Sequence, residues 1–113
     1  MKNKVVIITG ASSGIGNACA LAFCKRGARL VLVARTKSKL IALVKSIQKL
    51  GGEAIYIVAD VSSEADCANM INKTLDSYGS IDILINNAGI SMRALFLDLD
   101  LVDFEKVMRI NFY

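Results

Sequence analysis

Residues Thr9 to Gly16 read T-G-A-S-S-G-I-G, directly after the apolar run Val5-Val6-Ile7-Ile8 and at the head of an Ala-rich, helix-compatible stretch. A strand, a glycine-rich turn and a helix start in that order build a phosphate cradle. The helix N-terminus presents unpaired N–H groups and a partial positive charge, which attract a pyrophosphate. Glycines let backbone pass where a Cβ would collide with the ligand or the strand, and a side chain at Gly14 is expected to crowd both. The competing reading is a tight strand-to-helix turn with no ligand. The readable strand and helix on either side favour the cradle, with Ser12, Ser13 and Ile15 counted in the loop.

The rest of the chain repeats the alternation. Strands are expected at residues 4–9, 29–34, 54–59 and 81–85, and helices at 14–26, over Leu40 to Leu50, and from near Ser63 up to Gly79. Gly27, Gly51-Gly52 and Gly79 stop the helices. Residues 29–34 form a continuous apolar run, as in a strand buried on both faces. Leu40, Leu43, Val44, Ile47 and Leu50 recur at helical spacing and are expected to point inward, as are Cys67, Met70, Ile71 and Leu75. Ser63-x-x-Asp66 reads as a capping pattern. A fourth helix is expected from about Asp100 to Tyr113, with Asn111 on its inner face beside Phe104, Val107 and Met108. Successive βαβ units give an α/β, Rossmann-like, doubly wound parallel sheet with helices on both faces and order 3-2-1-4. It is expected to be truncated after the fourth strand and part of the next helix, leaving that strand's outer edge unpaired.

Charge divides the chain. No Asp or Glu precedes Glu53, whereas Lys2, Lys4, Lys25, Arg26, Arg29, Arg35, Lys37, Lys39, Lys45 and Lys49 all do. That asymmetry asks for an anionic partner. The cations are spread over several elements without interleaved aromatics or a nucleic-acid motif, so a phosphorylated cofactor is expected and nucleic acid is not. No apolar run approaches the ~18 residues of a membrane span, and no membrane partner is expected. Cys19, Cys24 and Cys67 form no C-x-x-C and read as reduced packing residues of a cytoplasmic protein. With no His and no paired-Cys spacing, no metal site is expected.

The loop spacing, T-G-x3-G-x-G at Thr9, Gly10, Gly14 and Gly16, lacks the G-K-[ST] ending of a P-loop. It resembles the cofactor loop of the short-chain dehydrogenase/reductase family, and Asn86-Asn87-Ala88-Gly89 resembles that family's N-N-A-G. The resemblance covers essentially all of residues 1–113, as the amino-terminal, NADP-binding half of a family member. It implies an NADP(H)-dependent oxidoreductase moving hydride between nicotinamide and a small carbonyl or alcohol, with the full-length protein a homo-oligomer. Gly89-Ile90-Ser91-x-Arg93 resembles the hydroxysteroid-dehydrogenase branch, and 3-oxoacyl-thioester reductases stay open.

Arg35 is the residue that selects the cofactor. An acid about 20 residues after the glycine loop accepts the ribose 2′-OH of NAD, and this chain has Arg35-Thr36-Lys37 there. A guanidinium pairs with a 2′-phosphate, so NADP(H) is expected. The competing reading is a strand cap. Asp60-Val61 ends the third strand. The resemblance implies that Asp60 accepts from the adenine amino group, and the alternative is a cap for the third helix. Amide side chains at the end of the fourth strand can tie adjacent loops together, with Asn87, Ala88 and Gly89 bordering the ribose, and the alternative is a wholly structural role. The resemblance further implies that Asn111 breaks its helix locally to hold a water of the proton relay, and the alternative is an amide satisfied by neighbouring backbone. The family's Ser and Tyr-x3-Lys pair do not occur: Tyr56 is followed four positions on by Asp60, and Tyr78 by Asp82. The chain therefore reads as part of a longer reductase. A non-catalytic NADP(H)-binding module is the alternative, and Arg35 speaks against a SAM-dependent methyltransferase.

Overall fold

The computed structural model describes residues 1–87 and 111–112. Five strands, β1 (Val5–Thr9), β2 (Arg29–Ala34), β3 (Glu53–Val58), β4 (Ile83–Asn86) and β5 (Asn111–Phe112), form one sheet in the order β3-β2-β1-β4-β5. Every pairing is parallel, with Val6 opposite Leu30 and Ile83 in adjacent ladders. Helices α1 (Gly14–Lys25), α2 (Lys37–Lys49) and α3 (Glu64–Tyr78) connect the first four strands.

Period-two side-chain alternation explains why both faces are covered. Even-numbered Val6, Ile8, Leu30 and Leu32 share one core with Ala20, Cys24, Leu40 and Ile47 of α1 and α2. Odd-numbered Val5, Ile7, Val31, Val33 and Ile57 share the other with Cys67, Met70 and Ile71 of α3. β2, a central strand, is buried along almost its whole length, whereas β3 at the sheet edge buries only Ile57. The helix ends follow their sequence signals. Ser63 Oγ accepts from the Asp66 N–H at 3.2 Å, and Gly79 closes α3 in the left-handed region at φ 76°.

Four expectations need correction. Leu50 leaves the apolar stripe and is 58% exposed, because the chain exits α2 there and the helical period no longer aims it inward. The ladder of β4 starts at Ile83, later than residue 81. Asp82 instead clamps the start of β1, its N–H donating to Val5 O at 2.9 Å and its carboxylate accepting from the Val5 N–H at 2.8 Å. The outer edge of β4 is paired, with Ile83 opposite Asn111 and Leu84 opposite Phe112. Asn111 consequently lies on extended backbone, not in a helix. An open edge leaves N–H and C=O groups without partners, and two extended residues satisfy some of them. Residues 100–110 of the expected fourth helix lie outside the described residues.

The three cysteines are free, as expected. Burial pushes the Cys67 thiol up, and the nearby Asp66, Asp60 and Glu64 push it further, so it stays a protonated packing group.

Candidate functional site

The carboxyl ends of β1, β2 and β3 converge on a groove of about 410 Å3. Gly10, Ser12, Arg35, Thr36, Asp60 and Val61 line it, together with Val33, Ala34, Ala59 and Ser62. All six of the first group were expected from sequence, and residues from three separate strand ends meet here. The Ala11 N–H donates to Val33 O at 3.1 Å and pins the glycine loop to the end of β2.

Thr9 organises the neighbouring strand end. It is fully buried, and its Oγ1 accepts from the Asn87 N–H at 3.1 Å while lying 3.2 Å from Asn86 Oδ1 and 3.4 Å from Ile85 O. The Asn87 side chain crosses to the glycine loop, donating from Nδ2 to Gly10 O at 3.3 Å and to Ser13 Oγ at 2.7 Å. Ser13 caps α1 in turn, its Oγ accepting from the Gly16 N–H at 3.1 Å. The expected tie between the two loops is thus made by Asn87.

The three loop glycines have three different reasons. Gly10 sits at φ 62°, and a Cβ there would lie 3.1 Å from Asn87 O. At Gly16 a Cβ would run into Gly10 O and lie 2.8 Å from Ala11 Cα, so this is where α1 meets the strand end. At Gly14 a Cβ would meet no protein atom within 4 Å. The expectation that Gly14 guards the strand–helix contact is therefore corrected. That contact belongs to Gly16, and Gly14 keeps open the space in front of the helix N-terminus. Ile15, 71% exposed, turns outward beside it.

Arg35 and Thr36 are exposed where β2 ends. Asp60 Oδ1 accepts from Ser62 Oγ at 2.6 Å and from the Ser62 N–H at 3.0 Å. These two bonds foremost, with the Arg35 guanidinium adding to them against slight desolvation, hold the Asp60 carboxyl below the usual carboxylate range. The cap of α3 is Ser63, so Asp60 does not serve as that cap. Removing the donor hydroxyl in Ser62→Ala is expected to move the Asp60 midpoint upward, read from its side-chain carboxyl resonance by NMR. An unmoved midpoint would rule out the Ser62 bond as the main cause. The sign follows from linkage. A carboxyl depressed by folding stabilises the fold above its unfolded midpoint, and that contribution is lost as pH falls through the folded one.

One participant, Ser62, and one pairing, Ser13 with Asn87, were not anticipated. Ser62 lies two residues after Asp60, a spacing at which a carboxylate closes a local turn, so it was readable. The Ser13–Asn87 bond spans 74 positions and has no local signal. Ala88 and Gly89 lie outside the described residues. Asn111 is placed opposite Ile83, at the first residue of β4, while the glycine loop lies beyond its last. The water-holding role that the resemblance attaches to a helical asparagine finds no helix there. Among the described residues no group of His, Cys, Asp or Glu could hold a metal ion, and no helix is long and apolar enough to cross a membrane.

Parallel sheet, helices on both faces and a glycine cradle at the carboxyl edge define a Rossmann-like α/β domain. The chain belongs to the short chain dehydrogenase family, whose profile it matches over residues 4–113. It is 45% identical to 11-beta-hydroxysteroid dehydrogenase-like 2 of Arabidopsis thaliana over 112 residues, which is 97% of this chain and 36% of the relative. It spans between about a third and just under half of the length of the curated relatives it matches. L-sorbose reductase from Gluconobacter frateurii, solved with NADPH and L-sorbose, superposes with TM-score 0.76 at 31% identity over 96% of this chain and 46% of that one. A short-chain dehydrogenase/reductase from Burkholderia phymatum, solved with NAD, superposes with TM-score 0.75 at 35% identity over 79% of this chain and 32% of that one.

Proposed function

We propose that residues 1–113 form the NADP(H)-binding half of an oxidoreductase that transfers hydride between nicotinamide and a small carbonyl or alcohol. Family membership supports the reaction class. The named relatives include one solved with NADPH and one with NAD, so the choice of cofactor falls to this chain's own residues. The observation that carries it is Arg35, exposed in the groove at the end of β2, where an NAD-binding domain places an acid.

The residues fit such a cofactor. The open side of Gly14 at the start of α1 leaves room for a pyrophosphate on the helix N-terminus. Arg35 pairs with the 2′-phosphate. Asp60, kept ionised by Ser62 and Arg35, is an acceptor suited to the adenine amino group. Asn87 holds the glycine loop against the end of β4, where the ribose passes. When bound, the nicotinamide supplies the hydride chemistry, and the protein's share is to bind and orient it.

Titration of Arg35→Ala with both cofactors tests the assignment. A lost bond between charged groups costs about 1.5–3 kcal/mol, so the Kd for NADPH should rise about 10- to 150-fold. The Kd for NADH should stay within about twofold. Equal weakening for both would remove the 2′-phosphate assignment.

A further inference from the structure

Among the described residues β3 is the outer strand of the sheet and pairs with β2 alone. The Ala59 N–H donates to Ala34 O at 3.0 Å, so the odd-numbered residues of this stretch turn their backbone groups toward β2. The N–H and C=O groups of Ala54, Tyr56 and Val58 therefore point out of the sheet edge. The same three residues set their side chains on the face that α1 and α2 cover. Ala54 packs into that core, while Tyr56 and Val58 stay 37% and 47% exposed. Edge strands are usually blunted by a charge, a proline or a bulge. Past Glu53, β3 has none of these, and Glu53 itself lies on the opposite face, 3.5 Å from Arg29 Nε. α2 runs over the same edge. Its Lys39, Ala42, Leu43 and Ser46 line the groove shared with α1. At about 100° per residue its other flank carries Lys37, Ile41, Lys45 and Gln48, and the order β3-β2-β1 turns that flank toward β3. Lys37 and Lys45 are exposed, with half-buried Ile41 between them. From Lys37 to Lys45 the helix rises about 12 Å, and from Ala54 to Val58 the strand rises about 13 Å, so the two lysines stand level with the ends of the open strand. No acid on α2 offsets them.

We propose that this edge docks an extended acidic peptide segment of a partner protein, which adds an antiparallel strand beside β3. Its residues facing α2 run acid, apolar, acid at alternate positions. The apolar one lies opposite Tyr56, the residue between the two lysines. The acids lie opposite Ala54 and Val58, within reach of Lys45 and Lys37. Backbone N–H and C=O groups alternate along the edge, and a peptide backbone is the polymer that returns the same alternation, unlike a nucleic acid or a lipid surface. Charge decides between a partner and a second copy of this chain. On the face toward α2 a second β3 would bring only Ala54, Tyr56 and Val58, with no acid for the lysines. Its own α2, equally free of acids, would come to the same side and repel. Exposed ion pairs are individually weak, so the backbone pairing supplies the register and the two lysines select the sequence. The proposal does not depend on the cofactor reading.

Synthetic peptides titrated into the 113-residue chain test it. The peptide T-E-T-V-T-E-T carries both acids and the valine on one face of a strand, and T-T-E-V-E-T-T has the same composition with the acids on the other face. Amide NMR with hydrogen exchange reads the affinity, the site and whether each variant is folded. The first peptide should shift and protect the Ala54, Tyr56 and Val58 N–H groups. It should bind at least about fivefold tighter than the second, and N-methylation at its valine, which removes the bond to Tyr56 O, should weaken it by a similar factor. The double variant Lys37→Glu/Lys45→Glu should reverse the preference and take T-K-T-V-T-K-T over the glutamate peptide. Lys39→Glu, on the flank toward α1, should keep the parent's preference. Equal binding of the two glutamate peptides, an unreversed preference in the double variant, or no shift at the three amides with about 1 mM peptide would overturn the proposal. Protection of the three amides without peptide, growing as the chain is concentrated, would also overturn it and assign the edge to a second copy.

Discussion

Gly16→Val should destabilise the domain by about 3 kcal/mol or more, the upper end of the range for overpacking, while Gly14→Ala should leave stability within about 1 kcal/mol of the parent. The two glycines are two residues apart in one loop, yet their surroundings are opposite. A Cβ at Gly16 would press on Gly10 O and lie 2.8 Å from Ala11 Cα. Both are backbone atoms of the loop that joins β1 to α1, so neither can swing aside as a side-chain tip would. Relief would require α1 to lift from the strand end and expose Ala20 and Cys24, which it buries against the sheet. At Gly14 the same added carbon points into free space. Its effect should appear only with ligand present, as a loss of at least about tenfold in NADPH affinity where a methyl group occupies the pyrophosphate's place. Urea denaturation of both variants, followed by NADPH titration of the folded one, separates the two effects. Comparable stability losses would show that the strand–helix contact has been assigned to the wrong glycine.

The second large effect concerns chemistry. The 113-residue polypeptide is expected to bind NADPH and yet reduce no carbonyl substrate measurably. Positioned general acids contribute about 10²–10⁴ in rate, and the two tyrosines among the described residues are badly placed. Tyr78 closes α3, with its ring 5.8 Å from the Arg29 guanidinium at the start of β2, the opposite end of the strands from the glycine loop. Burial pushes its hydroxyl up, and the Glu53 charge pushes the same way against Arg29, so it is a weaker acid than a free tyrosine. Tyr56 lies partway along the edge strand β3 and is 37% exposed. Neither is followed four residues on by a lysine. The check pairs a binding titration with an NADPH-consumption assay over aldehydes, ketones and ketosteroids. Turnover by these residues alone would mean that a proton donor within them has been overlooked.

The glycine loop, Arg35 and Asp60 were legible because each reports a local requirement. A tight strand-to-helix turn needs glycine, a strand buried on both faces needs an unbroken apolar run, and a polar residue just past such a run falls at the carboxyl edge of a parallel sheet. The helix caps were legible for the same reason: Ser63 and Asp66 are three residues apart, one turn of helix. Errors arose where the deciding partner was distant or the local rule ended. Leu50 continued the spacing of α2 in sequence, but the helix had already stopped.

What the sequence by itself determined is the order of elements, their two-faced burial and the kind of groups brought to one sheet edge, because these follow from short-range periodicity and turn chemistry. Only the tertiary structure decided that Gly16 and not Gly14 carries the strand–helix contact, and that Asn87 reaches back across 74 positions to Ser13. It likewise decided that Asn111 stands on extended backbone beside β4. Each of these depends on the few ångströms between segments that parallel pairing brings together, and no periodicity along the chain encodes that distance.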